Sequence, residues 1–136
     1  MPHPQPEAKP RFRTFWGRAQ SFQYAGQGVA YMLRTQHNAW IHAAITLAVI
    51  ASGFAFGVSA PEWCWLILAM ASVWTAESFN TAIEIIVDMA SPEWRPAAGR
   101  AKDVAAGAVL LCAAGASVVG LLIFLPRAAA LVRGLL

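Results

Sequence analysis

Glu77, Asn80, Glu84 and Asp88 follow one another at intervals of three, four and four residues inside an otherwise apolar stretch. At about 100° per residue, an α-helix gathers all four within an arc of roughly 80°. Ionisable side chains at bilayer depth are costly and tend to mark function. Such a stripe can be a structural seam, a path for protons or cations, or a general base with a divalent-metal site. Glu77 and Glu84 would stand ~10 Å apart along the axis. That is too far for both to hold one small ion, but it suits a base at one depth and a metal ligand at another. The spacing alone leaves the three readings open.

A second group of charges follows. Glu93, Arg95, Arg100, Lys102 and Asp103 lie just beyond the stripe. Cations beside carboxylates are what a Mg²⁺-bound polyphosphate needs, the former for phosphate oxygens and the latter for the metal. Asp103 also stands where it would cap a following helix. A solvated charged loop is the bland alternative. No Walker A, kinase glycine-rich loop or H-E-x-x-H motif occurs, so the common soluble nucleotide and zinc designs are excluded. His37 and His42 flank the start of an apolar run, where interfacial packing is a better reading than a phosphate contact. Cys64 and Cys112 have no metal-ligand spacing and read as small buried hydrophobes.

The elements that must position these groups are membrane helices. The chain of 136 residues is 58% hydrophobic and 12% charged, about half the charge of a soluble domain, and is long enough for one domain. Residues 1–13, with four prolines and several charges, read as a disordered arm. Residues 14–35 read as an amphipathic helix lying in the interface, with Phe15, Phe22, Val29 and Leu33 on one side. Spans are expected over 39–57, 62–89 and 103–125, with 126–136 as a tail. Pro96 and Gly99 should keep the second connection irregular, and Pro126 should stop the third span. Trp40, Trp63, Trp65 and Trp94 fall near span ends, as an aromatic belt requires.

Lys9, Arg11, Arg13, Arg18 and Arg34 precede the first span, and Arg95, Arg100 and Lys102 lie between the second and third. The positive-inside bias puts the N-terminus and the 91–103 loop in the cytoplasm and the C-terminus outside. Basic residues beside a span meet anionic headgroups rather than nucleic acid. The third span is rich in small residues, including Ala113, Ala116, Ser117 and Gly120, which let helices approach closely in lipid. Three spans can hardly surround a polar site, so an oligomer is expected.

The run Glu77-Ser-Phe-Asn80-Thr81-Ala82-Ile83-Glu84-Ile-Ile-Val-Asp88, followed by Gly99-Arg100-Ala101-Lys102-Asp103, resembles the small prokaryotic membrane lipid kinases, diacylglycerol kinase and undecaprenol kinase. The resemblance covers roughly residues 14–125. It implies an all-α integral membrane protein, an amphipathic helix plus three spans, forming a homotrimer in the cytoplasmic membrane. It implies transfer of the γ-phosphate of Mg-ATP to a lipid hydroxyl. Glu77 would then be the general base with Asn80 orienting it, and Glu84 would ligate Mg²⁺. Tyr24, Asp88, Glu93, Lys102 and Asp103 would hold the nucleotide, alongside Arg95 from the charge pattern. Many members carry a metal-binding Glu where this chain has Gln36, which offers a carbonyl oxygen but no charge. The pattern around Tyr24, Gly28, Asn38, His42 and Glu62 leans toward the undecaprenol branch. An ion or proton passage using the same buried carboxylates is the alternative; it would not need Glu93, Lys102 and Asp103.

Overall fold

The computed structural model describes residues 15–93 and 95–135. The expected arm over 1–13 and Trp94 lie outside the described residues. The chain forms four helices: α1 (Phe15–Thr35), α2 (His37–Ala55), α3 (Ala60–Ala90) and α4 (Pro96–Leu135). Among the described residues there is no strand, and α2, α3 and α4 are each long and apolar enough to cross a membrane. The all-α fold with three membrane helices behind an N-terminal helix is the one expected.

Two expectations about prolines are corrected. Pro96 does not keep the connection irregular; it is the first residue of α4. At the first helical position a missing N–H costs nothing and a fixed φ is already helical. Gly99 accordingly donates its N–H to the Arg95 carbonyl, and Asp103 lies inside the helix rather than capping it. Pro126 does not stop the helix either, since α4 continues to Leu135. A mid-helix proline removes one backbone hydrogen bond. Just beyond it, Arg127 Nη1 donates to the Ile123 carbonyl at 2.7 Å.

The α2–α3 connection is short because its residues meet its geometry. Gly57 takes a positive φ of 59°, open to glycine at no steric cost. The Ser59 N–H and hydroxyl both donate to Glu62 Oε2, at 2.9 and 2.5 Å. This S-x-x-E arrangement satisfies donors that a helix start leaves free.

Helix α3 is the centre of the fold. It packs most extensively against α4 and also meets α2 and α1. A third (33%) of its most apolar window is buried, against 11% for α2 and α4. At one end Val58, Leu66 and Ile123 form a core with Trp63, Met70 and Phe124 around it. A Cβ placed on Gly53 would stand 2.5 Å from Trp63 Cη2, so only glycine lets α2 and α3 close at this level. Further along, Trp74 Nε1 donates to Thr46 Oγ1 at 3.1 Å, tying α3 to α2 by a polar bond where lipid offers no competitor. Helix α1 is held through Met32, which is buried, while Phe22, Tyr24 and Tyr31 stay exposed. Apolar exposure along one helix is what an interfacial segment presents to lipid.

Candidate active site

The stripe on α3 points inward at its deep end and outward at its shallow end. Glu77 and Asn80 are buried, at 1% and 5% exposure; Glu84 is half-buried and Asp88 exposed. Each step along the stripe therefore moves from the packed helix interface toward solvent. Helical periodicity alone puts the four groups on one side of α3. The neighbours α2 and α4 then decide how each is used.

Glu77 sits deepest. Neither of its carboxylate oxygens has a hydrogen-bond partner, and Asn80 Oδ1 lacks one as well. A buried polar atom normally has a partner, so three such atoms together mark a place prepared for something else. Glu77 and Asn80 line a cavity of about 210 Å³ together with Asn38 and His42 from α2 and Ala106, Val109 and Ala113 from α4. His42 Nε2 lies 3.9 Å from Glu77 Oε2, and its ring meets Trp74 edge-on with centroids 6.5 Å apart. His42 is the residue that sequence reasoning passed over as packing. Its signal was weak: a single histidine one turn into an apolar helix, whose meeting with Glu77 is purely tertiary.

One turn above, three side chains join. Gln36 Nε2 donates to Glu84 Oε2 at 3.1 Å, and Asn80 Nδ2 donates to Glu84 Oε1 at 3.0 Å. Asn80 thus gives its amide to Glu84, while its buried Oδ1 has no partner among the described residues. Gln36 reaches this position because it is the single non-helical residue between α1 and α2. The donor set here is one carboxylate flanked by two carboxamides. All are hard oxygen donors once an amide turns, although among the described residues, here included, no cluster of three His, Cys, Asp or Glu groups forms. Such a set suits an ion that takes most of its shell from phosphate and water.

At the solvent end, Lys102 Nζ pairs with Asp88 Oδ1 at 2.5 Å, linking α4 to the end of α3. Glu93 and Arg95 lie in the short α3–α4 connection and are exposed; the Glu93 carbonyl accepts the Ser91 hydroxyl. Asp103 and Tyr24 are exposed, on α4 and α1. The structure therefore joins Gln36, Asn80 and Glu84, and separately Asp88 and Lys102. It does not draw Tyr24, Glu93, Arg95 or Asp103 into direct hydrogen bonds with either group.

The polar series has a definite order: an unpartnered carboxylate deep in the membrane helices, a carboxylate–amide cluster above it, and an ammonium–carboxylate pair at the end. The profile described as prokaryotic diacylglycerol kinase matches residues 23–124. The chain is 42% identical over 107 residues to undecaprenol kinase of Bacillus subtilis (strain 168), covering 79% of this chain and 87% of that protein. It is 38% identical over 132 residues to diacylglycerol kinase of Synechocystis sp. (strain ATCC 27184 / PCC 6803 / Kazusa), covering 93% of this chain and 75% of the relative.

Proposed function

The chain belongs to the prokaryotic diacylglycerol kinase family, and on that premise we propose that it transfers the γ-phosphoryl group of ATP to the hydroxyl of a membrane lipid at the cytoplasmic face. The observation that carries this reading is the buried Glu77 carboxylate with both oxygens unpartnered, two turns below the Glu84 carboxylate of a cluster suited to a phosphate-bound cation. A lipid hydroxyl stays in the bilayer and ATP stays in water, so the two must meet on an element that crosses the boundary. Helix α3 carries Glu77 inside and Asp88 outside.

In this mechanism the lipid O–H gives its proton to Glu77 as its oxygen forms a bond to the γ-phosphorus and ADP leaves. A positioned carboxylate of this kind contributes about 10²–10⁴ in rate. Glu84, with oxygens of Gln36 and Asn80, would hold Mg²⁺, and the ion supplies neutralisation of charge on the transferring phosphoryl group. Because Gln36 brings no charge, the site depends on Glu84 and the nucleotide phosphates. Lys102, freed from Asp88, reaches a phosphate oxygen, with Arg95 able to add a second cation from the connection. Asp88, Glu93, Asp103 and Tyr24 complete the nucleotide surface in this reading. A homotrimer would cover the exposed ends of the stripe, since three spans enclose only its deep end. The N-terminus and the α3–α4 connection lie in the cytoplasm, with the C-terminus outside.

Undecaprenol is the favoured acceptor, supported by the 42% identity to a protein of that name over most of its length. The test is the fate of labelled phosphate in detergent–lipid micelles with purified protein. Lipid-dependent label in the organic phase is expected. Passage of ions through liposomes without any phosphotransfer would instead favour the ion-passage reading.

A further inference from the structure

His42 faces Glu77 across the α2–α3 contact, with Nε2 3.9 Å from Glu77 Oε2, beyond hydrogen-bond range. That carboxylate therefore does not fix the imidazole. The last torsion of a histidine side chain is broad, so the ring keeps one orientation only where a neighbour holds it. The neighbour is the Trp74 indole, which meets the imidazole edge-on with centroids 6.5 Å apart and planes at 67°. This geometry lies in the favoured range for aromatic pairs.

The indole is itself anchored. A tryptophan N–H in apolar surroundings needs an acceptor, and Trp74 Nε1 donates to Thr46 Oγ1 at 3.1 Å. Among the described residues this is the only side-chain hydrogen bond between α2 and α3. General packing does little to fix α2, since only 11% of its most apolar window is buried. Its close approach to α3 at Gly53 and Trp63 is about two turns further along. The four residues make a ladder of two rungs. On α2 His42 and Thr46 stand four apart, and on α3 Trp74 and Glu77 stand three apart, spacings that put side chains on one helix face. The short connection makes α2 and α3 antiparallel, so His42 meets Glu77 on one rung and Thr46 meets Trp74 on the next.

We propose that Trp74, anchored by Thr46, is a positioning residue for His42: its indole holds the imidazole toward the unpartnered oxygens of Glu77 and so fixes where an acceptor oxygen sits between the two groups. Neither Trp74 nor Thr46 touches the reacting atoms. This rests on the kinase reading and adds to it a pair of residues one turn removed from the chemistry. A misplacement of about 1 Å caused by a remote residue costs on the order of 10² in rate, so the Thr46 hydroxyl alone has a measurable effect.

A double-mutant cycle through His42 tests it, in the full-length protein with undecaprenol and diacylglycerol each offered as acceptor. Thr46→Val and Trp74→Leu should each lower kcat about ten-fold, within the range of a misplaced reactant, and leave KM for ATP unchanged. Thr46→Ser, which restores an acceptor for the indole N–H, should recover most of the rate. In a His42→Ala background neither substitution should lower kcat further, because the group they position is gone. Thr46→Val exchanges a hydroxyl for a methyl of similar size, so it decides the matter even where Trp74→Leu fails to assemble. The same fractional loss with and without His42 would make the pair a general packing contact and overturn the proposal. Undiminished kcat in Thr46→Val would overturn it while leaving the kinase reading intact. If the unmodified protein labels neither lipid, the kinase reading itself fails, and this assignment with it.

Discussion

His42 and Glu77 face each other across the α2–α3 contact, with His42 Nε2 3.9 Å from Glu77 Oε2. The gap exceeds a hydrogen bond, yet a hydroxyl placed between the two groups reaches both. His42 also lines the pocket beside Glu77. On the proposed function, it is a positioning residue beside the reacting oxygen. His42→Ala should lower kcat for lipid phosphorylation by up to roughly 10²-fold, the scale of a misplaced reactant, with KM for ATP unchanged. His42→Gln, which keeps a polar group, should recover part of the loss. Steady-state kinetics with both substrates varied decides it; a KM effect for ATP alone would exclude this role.

On the proposed function, the carboxylate–amide cluster should set the metal requirement. Glu84→Gln removes the one carboxylate between Gln36 and Asn80 and should raise the Mg²⁺ concentration needed for half-maximal rate steeply. Gln36→Glu adds a second carboxylate and should lower that concentration. It should also make the thermal midpoint rise with added Mg²⁺ more than in the unmodified protein, because a metal then screens two adjacent charges. A midpoint indifferent to Mg²⁺ in Gln36→Glu would mean that this position does not face the ion.

The solvent end should report on nucleotide affinity. Lys102 is paired to Asp88 across α3 and α4, and Lys102→Met removes a cation within reach of phosphate. KM for ATP should rise about ten-fold, the scale of one charge-assisted contact, with little change in lipid KM. An effect on lipid KM only would contradict the assignment.

Much of this was legible in the sequence, and the parts that were not have physical reasons. That Glu77, Asn80, Glu84 and Asp88 share one side of α3 follows from helical periodicity, which is local information. Pro96 and Pro126 were misread because a proline marks a helix break only in context: the first position of a helix tolerates it, and α4, packed along α3, continues through the later one. Ser59-x-x-Glu62 carried its capping signature openly. Its larger role was hidden, because Glu62 pairs in two-pronged fashion with Arg127, at 3.0 and 2.8 Å, from the far end of α4. The same holds for His42 against Glu77: neither pairing has a period or spacing that a linear reading can detect.

The Glu62–Arg127 pair should matter for stability and not for chemistry. Two parallel N–H···O bonds fix α3 to α4 at the end away from the stripe. Glu62→Gln and Arg127→Met should each lower the thermal midpoint in detergent while leaving kcat of the folded protein unchanged. The exchanged pair Glu62→Arg with Arg127→Glu should recover part of the midpoint. A fall in kcat without loss of stability would show that this end is coupled to the site.

The central claim is that a buried carboxylate on α3 activates a lipid hydroxyl toward ATP. The most direct test offers undecaprenol and diacylglycerol side by side with labelled ATP, to the unmodified protein and to Glu77→Gln, with ATP binding and oligomer size measured on both. Label should enter undecaprenol in preference to diacylglycerol and fall by about 10²–10⁴ in Glu77→Gln, with ATP binding and assembly intact. Undiminished transfer by Glu77→Gln would contradict its role as the base.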